Sequence, residues 1–393
     1  MSVKNRKKRR ISPGKAILIG CVLLVVVVLT QHFAVELWGG DTQYWQFVYT
    51  DVRLEYSFDT MASFYAFGNS FLFVARDGVQ NLSIDGDVLW QHGFNMSSPI
   101  TVGRGGVAAV GDSNGKEIHV FNATGLLYSV NLPQPILYFT VNATGYLSVI
   151  MSTETGYLLQ VYDAENFQIP IYHALMGEIN VFPFSVDVSD CGALITMARL
   201  DTSGLISSHI SFSYLRRIAE SRRWQDGMFR SYRFDNEFTL HTRFVNCMQM
   251  IALTDQRIIG YNSEEGNHGY EWSIPLHNRP DLFQVGENFF AFVSGEPFLN
   301  DFEADSPGIL FIYDFNGQLI LRHDLGRRAT HLSIAHGTLL IGLDRDFLAI
   351  NTQGMILWNH TAIQDINNAT FLNNTNTILL ATNTQATIMQ RTR

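Results

Sequence analysis

Arginine is the residue whose clustering first suggests chemistry. Arg216, Arg217, Arg222, Arg223, Arg230 and Arg233 fall within 18 positions, beside Trp224. A guanidinium can grip a carboxylate or phosphate through two parallel bonds, and Trp and Arg commonly anchor interfaces. The stretch 215–224, LRRIAESRRW, has helical propensity, with Arg216 and Glu220 spaced as an i,i+4 pair. Arg216, Arg217, Arg222, Arg223, Trp224 and Arg230 therefore form the candidate patch for a protein or anionic polymer partner. The competing reading is a solvated insertion whose arginines pair with local acids.

Other chemistry-bearing residues do not assemble. The acidic run 300–308, NDFEADSPG, has the carboxylates of a calcium loop. Its glycine comes two places late, and Ile312 stands where a bidentate Glu should close the loop. His331 and His336 are five apart across a strand and turn, a poor spacing for one metal. No GxSxG, HExxH, CxxC or phosphate-cradling glycine loop occurs. No catalytic residue, metal ligand or cofactor is assigned from the sequence.

The chain has 393 residues, 46% hydrophobic, with a net charge of −9. Residues 1–15 carry seven basic side chains and no acid, so the rest is more acidic than the total. An acidic body argues against nucleic acid as a partner. After the basic run comes AILIGCVLLVVVVL, Ala16–Leu29, which can extend to about 20 residues, the length of a membrane span. Basic residues before the span place the N-terminus inside the cell. His32-Phe33-Ala34 is a poor cleavage site, and Leu18-Ile19-Gly20-Cys21 copies a lipoprotein box with its apolar run on the wrong side. The expected organisation is a cytoplasmic tail at 1–15, a signal anchor at 16–36 with Trp38, Tyr44 and Trp45 just beyond it, a linker at 37–46, and a body at 47–393 outside the membrane.

That body repeats. A turn residue followed by an apolar run recurs at Asn69, Gly106, Gly145, Gly192, Asn246, Asn288, Gly337 and Asn376, at spacings of 37 to 54 residues. A four-stranded propeller blade takes roughly 40–50 residues. Each run leads to a second turn, an alternating strand, a third turn and a last strand, as in DGDVLW ending at Trp90. The eighth unit lacks its last strand, and residues 51–58, DVRLEYSF, stand unclaimed before the first unit. The expectation is an all-β propeller of eight blades, closed when that strand completes the last one. Setting aside the irregular fourth unit gives seven. Cys191 and Cys247 fall in equivalent turns of neighbouring units, where a separation beyond disulfide reach is expected. Seven N-x-S/T sequons, among them Asn81, Asn122 and Asn142, are read as turn usage rather than glycan sites.

The pattern at Leu82–Trp90, seen loosely again at Leu348–Trp358, resembles the quinoprotein-type (PQQ-like) and WD40-like repeats. The whole layout is similar to uncharacterised membrane-anchored propeller proteins of Gram-positive bacteria. A quinoprotein enzyme would need an adjacent Cys-Cys pair and an inner-strand Trp, and neither is present, so no cofactor residue carries over.

The expected function is therefore binding or scaffolding outside the membrane. The alternative is a surface enzyme acting on a carbohydrate or wall polymer. The lining of the channel separates them: converging carboxylates or histidines would favour the enzyme. On intact cells, Ser306→Cys should react with a membrane-impermeant thiol reagent above the level of the unsubstituted chain. Equal labelling would contradict the topology.

Overall fold

In a computed structural model, the described residues are 45–57, 62–165, 168–174, 180–221, 224–262, 270–295, 308–372 and 375–392. The tail, the apolar segment, most of the acidic run, Arg222 and Arg223 lie outside them. Among the described residues no helix is long and apolar enough to cross a membrane. The compact unit Trp45–Arg393 is a ring of eight four-stranded antiparallel sheets.

The apolar runs that mark the repeat are the second strands of the blades. In blade 7 this strand, Thr338–Leu343, is buried at every position. A strand covered on both faces by neighbouring blades needs a continuous apolar sequence rather than an alternating one. The outer strand of blade 6, Leu319–Asp324, is exposed or half-buried throughout, so hydrophobicity falls from axis to rim. The inner strands of blades 1 to 8 are Ser63–Phe67, Pro99–Arg104, Ile136–Val141, Val181–Val188, Thr239–Phe244, Leu282–Val285, His331–Ala335 and Asn368–Phe371. Inner strands of adjacent blades touch along most of the ring and line a central channel.

The N-terminal strand Gln46–Glu55 pairs with Gln385–Thr392 as the fourth strand of blade 8. Closure by an N-terminal strand thus holds, but the strand begins earlier than the 51–58 segment that signals it. Trp45 also belongs to the ring unit. Its amide donates to the Leu357 carbonyl at 2.6 Å, and the Arg391 guanidinium lies 4.3 Å from its ring centre.

In blades 1, 2, 5 and 7 an aromatic residue of the outer strand ties the blade to the next. Trp90 of blade 1 stacks on Phe121 of blade 2, at 5.3 Å between centroids, and its Nε1 donates to the Ala123 carbonyl. Trp272 of blade 5 repeats the arrangement on Phe290, with Nε1 donating to Phe315 O. Tyr128 of blade 2 donates to Gly145 O of blade 3 at 2.7 Å. Trp358 of blade 7 packs on Phe47 of the closing strand.

Turn chemistry also repeats. Asp314 Oδ1 accepts from the amides of Asn316 and Gln318, and Asn351 Oδ1 from those of Gln353 and Met355. Gly317 and Gly354 follow with φ of 75° and 84°, which an L side chain resists. Asn122 and Asn142 hold their turns in the same way, and Asn81 is buried, so these three sequon asparagines serve the fold.

The fourth blade is regular, with four strands of eight residues. What lengthens its unit is an insertion between the third and outer strands, α1 (Leu215–Ser221) and α2 (Trp224–Gly227).

Deleting Gln46–Glu55 should uncover the edge of Gln385–Thr392 and the apolar faces of Ile388 and Met389. The thermal transition of the whole ring should then fall by about 10 °C or more, because each blade is held only by its neighbours. An unchanged melting curve would remove closure as a source of stability.

Candidate functional site at the channel mouth

Of the candidate patch, Trp224 is buried, Arg216, Arg217 and Arg230 are placed, and Arg222 and Arg223 lie outside the described residues. Trp224 is only 3% exposed and packs with Leu215 and Ile218 against Ile150, Leu159 and Val161 of blade 3. It cannot anchor a partner, because it plugs the seam between blades 3 and 4. Gly227 permits this packing, since a Cβ there would lie 2.4 Å from Ile218 Cγ1. Arg230 donates to the Asn262 carbonyl at 3.2 Å, and Arg233 pairs with Asp235 at 2.7 Å. Arg217 lies over the Tyr214 ring at 4.7 Å. Arg216 is exposed and pairs with Glu220, as the i,i+4 spacing predicts.

A different arginine pair converges on the axis. Where the turns between inner and second strands gather, they surround a cavity of about 1060 Å³. Tyr65, Arg104, Asp190, Arg243, Glu287 and His336 are among its lining residues. Gly103 makes room for the Tyr65 ring, because a Cβ there would come within 2.5 Å of it.

Arg104, the last residue of the blade 2 inner strand, reaches past blade 3 to blade 4. It donates to Asp187 Oδ2 at 2.8 Å and to Asp190 Oδ1 at 3.2 Å. Its side chain is 11% exposed and that of Asp187 is 2% exposed, so this is a sheltered ion pair rather than a surface one. Asp187 Oδ2 also accepts from the Phe244 amide of blade 5 at 2.7 Å. Blade 3 joins through Asn142, which donates to Ser189 O, and through the Ala143 amide, which donates to Asp190 Oδ1. Ser185 and Thr242 meet at 2.9 Å across blades 4 and 5. One network thus locks the inner ends of blades 2 to 5.

Arg243 stands one residue before Phe244 and lines the same cavity. Among the described residues, no hydrogen bond or ion pair takes up its guanidinium. Burial and then the like charge of Arg104 press its pKa below the usual arginine value, opposed by Asp187, Tyr65 and Asp190. The group nonetheless stays charged. Burial raises the pKa of Tyr65, and the two arginines oppose the rise. Burial and Asp187 push Tyr138 up to about 12. Burial, then Arg243, push His241 down to about 4, so it is a neutral neighbour at pH 7.

The turns on either side of this network carry the two cysteines. Cys191 follows Asp190, and Cys247 lies four residues after Arg243. The two thiols are electrostatic neighbours, each shifting the other's ionisation. They stand four and three residues beyond the Asp187–Phe244 hydrogen bond that joins the same two blades. Inner strands crowd together near the axis, so equivalent turns of neighbouring blades meet there.

Sequence reasoning missed Tyr65, Arg104, Asp187, Asp190, His241 and Arg243. A signal was present: Arg104, Asp190 and Arg243 each stand two or three residues before a repeat-marking Gly or Asn, at the channel end of an inner strand.

Fold and site together define an eight-bladed β-propeller with a polar, arginine-bearing channel mouth. Residues 45–390 match the model of a family of unknown function (DUF5711), and the chain belongs to that family. No curated protein matches it. Among solved structures, BamB from Moraxella catarrhalis is similar, with a TM-score of 0.51 and 14% identity over 88% of this chain and 100% of that one. Apo AztD from Citrobacter koseri is similar with a TM-score of 0.50 and 12% identity, over 77% of this chain and 87% of that one. At such identities the likeness shows the fold.

The His241 shift has a definite sign. A folded pKa near 4, below an unfolded value of roughly 6.5, gives stability that is present above pH 6.5 and lost as pH falls toward 4. His241→Asn should therefore lose less stability than the wild type between pH 7.5 and 4.5, by about 2 kcal/mol in denaturant titrations. Equal losses would contradict the placement of His241.

Proposed function

We propose that this protein is a non-enzymatic binding or scaffolding module whose channel mouth accepts a carboxylate or phosphate group presented by its partner. The N-terminal apolar segment tethers it to the membrane, and the ring works on the extracytoplasmic side. The observation that carries the binding reading is Arg243: a guanidinium drawn into the channel beside a second arginine, with no protein acceptor among the described residues. Sheltering a charge without a partner is costly, and an incoming anion would offset that cost. The cavity of about 1060 Å³ is large enough for a side chain or a small ligand. The tether rests on the basic run and the apolar segment Ala16–Leu29.

The channel lining bears on the enzyme alternative. Asp187 and Asp190 both bond to Arg104, so they serve as its counter-ions instead of facing each other across open space. Glu287 stands by His336 at 3.6 Å, in blades 6 and 7. This lining favours recognition over acid–base cleavage.

Calorimetry on the full chain in detergent, with inorganic phosphate and with citrate as probes, tests the site. The wild type should bind at least one of them. Arg243→Gln should weaken that binding about tenfold or more, the loss expected for one charge-assisted bond of roughly 1.5–3 kcal/mol. Equal binding by the variant, or no binding by the wild type, would overturn the assignment.

A further inference from the structure

We propose that Cys191 and Cys247 are a reversible dithiol–disulfide pair that staples blades 4 and 5 together at the channel mouth. Cys191 lies in the turn after the inner strand of blade 4, and Cys247 in the corresponding turn of blade 5. Both are free thiols, 56 positions apart in the chain but on neighbouring turns, four and three residues beyond the 2.7 Å Asp187–Phe244 hydrogen bond. Their exposures differ in a useful way: Cys191 is exposed, whereas Cys247 is half-buried. An attacking reagent therefore meets Cys191 first.

The surroundings favour this division of roles. Burial acts to raise the Cys191 pKa, but hydrogen bonds from the Cys247 thiol, the Ala193 amide and the Ser189 hydroxyl lower it overall. The Ser189 Oγ is 3.7 Å from Cys191 Sγ. Cys247 moves the other way, raised by its hydrogen bond to Cys191 and by burial. An accessible thiol that ionises more readily, beside a partner that holds its proton more tightly, is the arrangement of an attacking and a resolving cysteine.

The chemistry balances with a small-molecule disulfide as oxidant. The Cys191 thiolate attacks one sulfur of that disulfide, and the S–S bond breaks to release one thiolate. Cys247 then loses its proton and attacks the Cys191 sulfur, expelling the second thiolate. The protein gives up two electrons and the two thiol protons, which the two released thiolates take up. The new bond would fix the turns that carry Asp190 and lead away from Arg243. The network around the channel mouth would then be held covalently as well as by hydrogen bonds.

Treating the full chain with oxidised glutathione, followed by alkylation and peptide mass mapping, tests the pair. A linked 191–247 peptide lacking two hydrogens should form, and dithiothreitol should reverse it. Mapping also separates this link from any involving Cys21. Oxidation should raise the melting temperature by several degrees, and Cys247→Ser should trap glutathione on Cys191. Two results would overturn the proposal: full alkylation of both thiols after oxidant, or glutathione left unresolved on Cys191 in the wild type. Arg243→Gln should oxidise normally, so this result stands apart from the fate of the anion-binding reading.

Discussion

Lateral coverage is the constraint on which the ring depends. Every second strand is apolar on both faces and needs a blade on each side. An open array would leave two such faces bare. The pairing of Gln46–Glu55 with Gln385–Thr392 meets that need by completing the eighth blade with the start of the chain. The channel mouth follows from the same closure. Arg104 reaches from blade 2 to carboxylates on blade 4 because the ring holds the inner strands at a fixed spacing.

The blades meet through a small set of repeated devices. An outer-strand tryptophan stacks on the following blade and donates its indole N–H to a carbonyl in that blade's third turn. This placement buries a large ring and satisfies its single donor. Asp or Asn opens several of the third turns, caps two amides and leaves a glycine to take the positive φ. Local turn chemistry thus sets the length of each hairpin, and the aromatic at its end sets the spacing to the next blade.

The periodic parts of the structure were legible in the sequence. Continuous apolar runs after Gly or Asn marked all eight second strands, and the missing last strand pointed to closure from the N-terminus. Trp224 was not recognisable as a core residue because linear clustering does not show orientation. Leu215, Ile218 and Trp224 turn inward while Arg216 stays in solvent, and only packing against blade 3 decides that. The mouth residues were hidden for the opposite reason. Tyr65, Arg104, Asp187 and Arg243 are far apart in sequence, and they meet only because inner strands converge on one axis. The cysteines illustrate the same convergence: they are 56 positions apart in the chain, yet they sit on neighbouring turns just beyond the Asp187–Phe244 hydrogen bond.

The proposed anion site rests on the unequal pairing of two arginines at the mouth. Arg104 has two carboxylates, and among the described residues Arg243 has none of its own. Asp187 and Asp190 are spent on holding blades 2 and 4, which leaves a positive group facing the cavity. The most direct measurement is anomalous diffraction from crystals of the protein soaked in selenate, a tetrahedral dianion. A selenium peak within hydrogen-bond distance of the Arg243 guanidinium is the predicted result. Selenium peaks only elsewhere on the molecule would contradict the account.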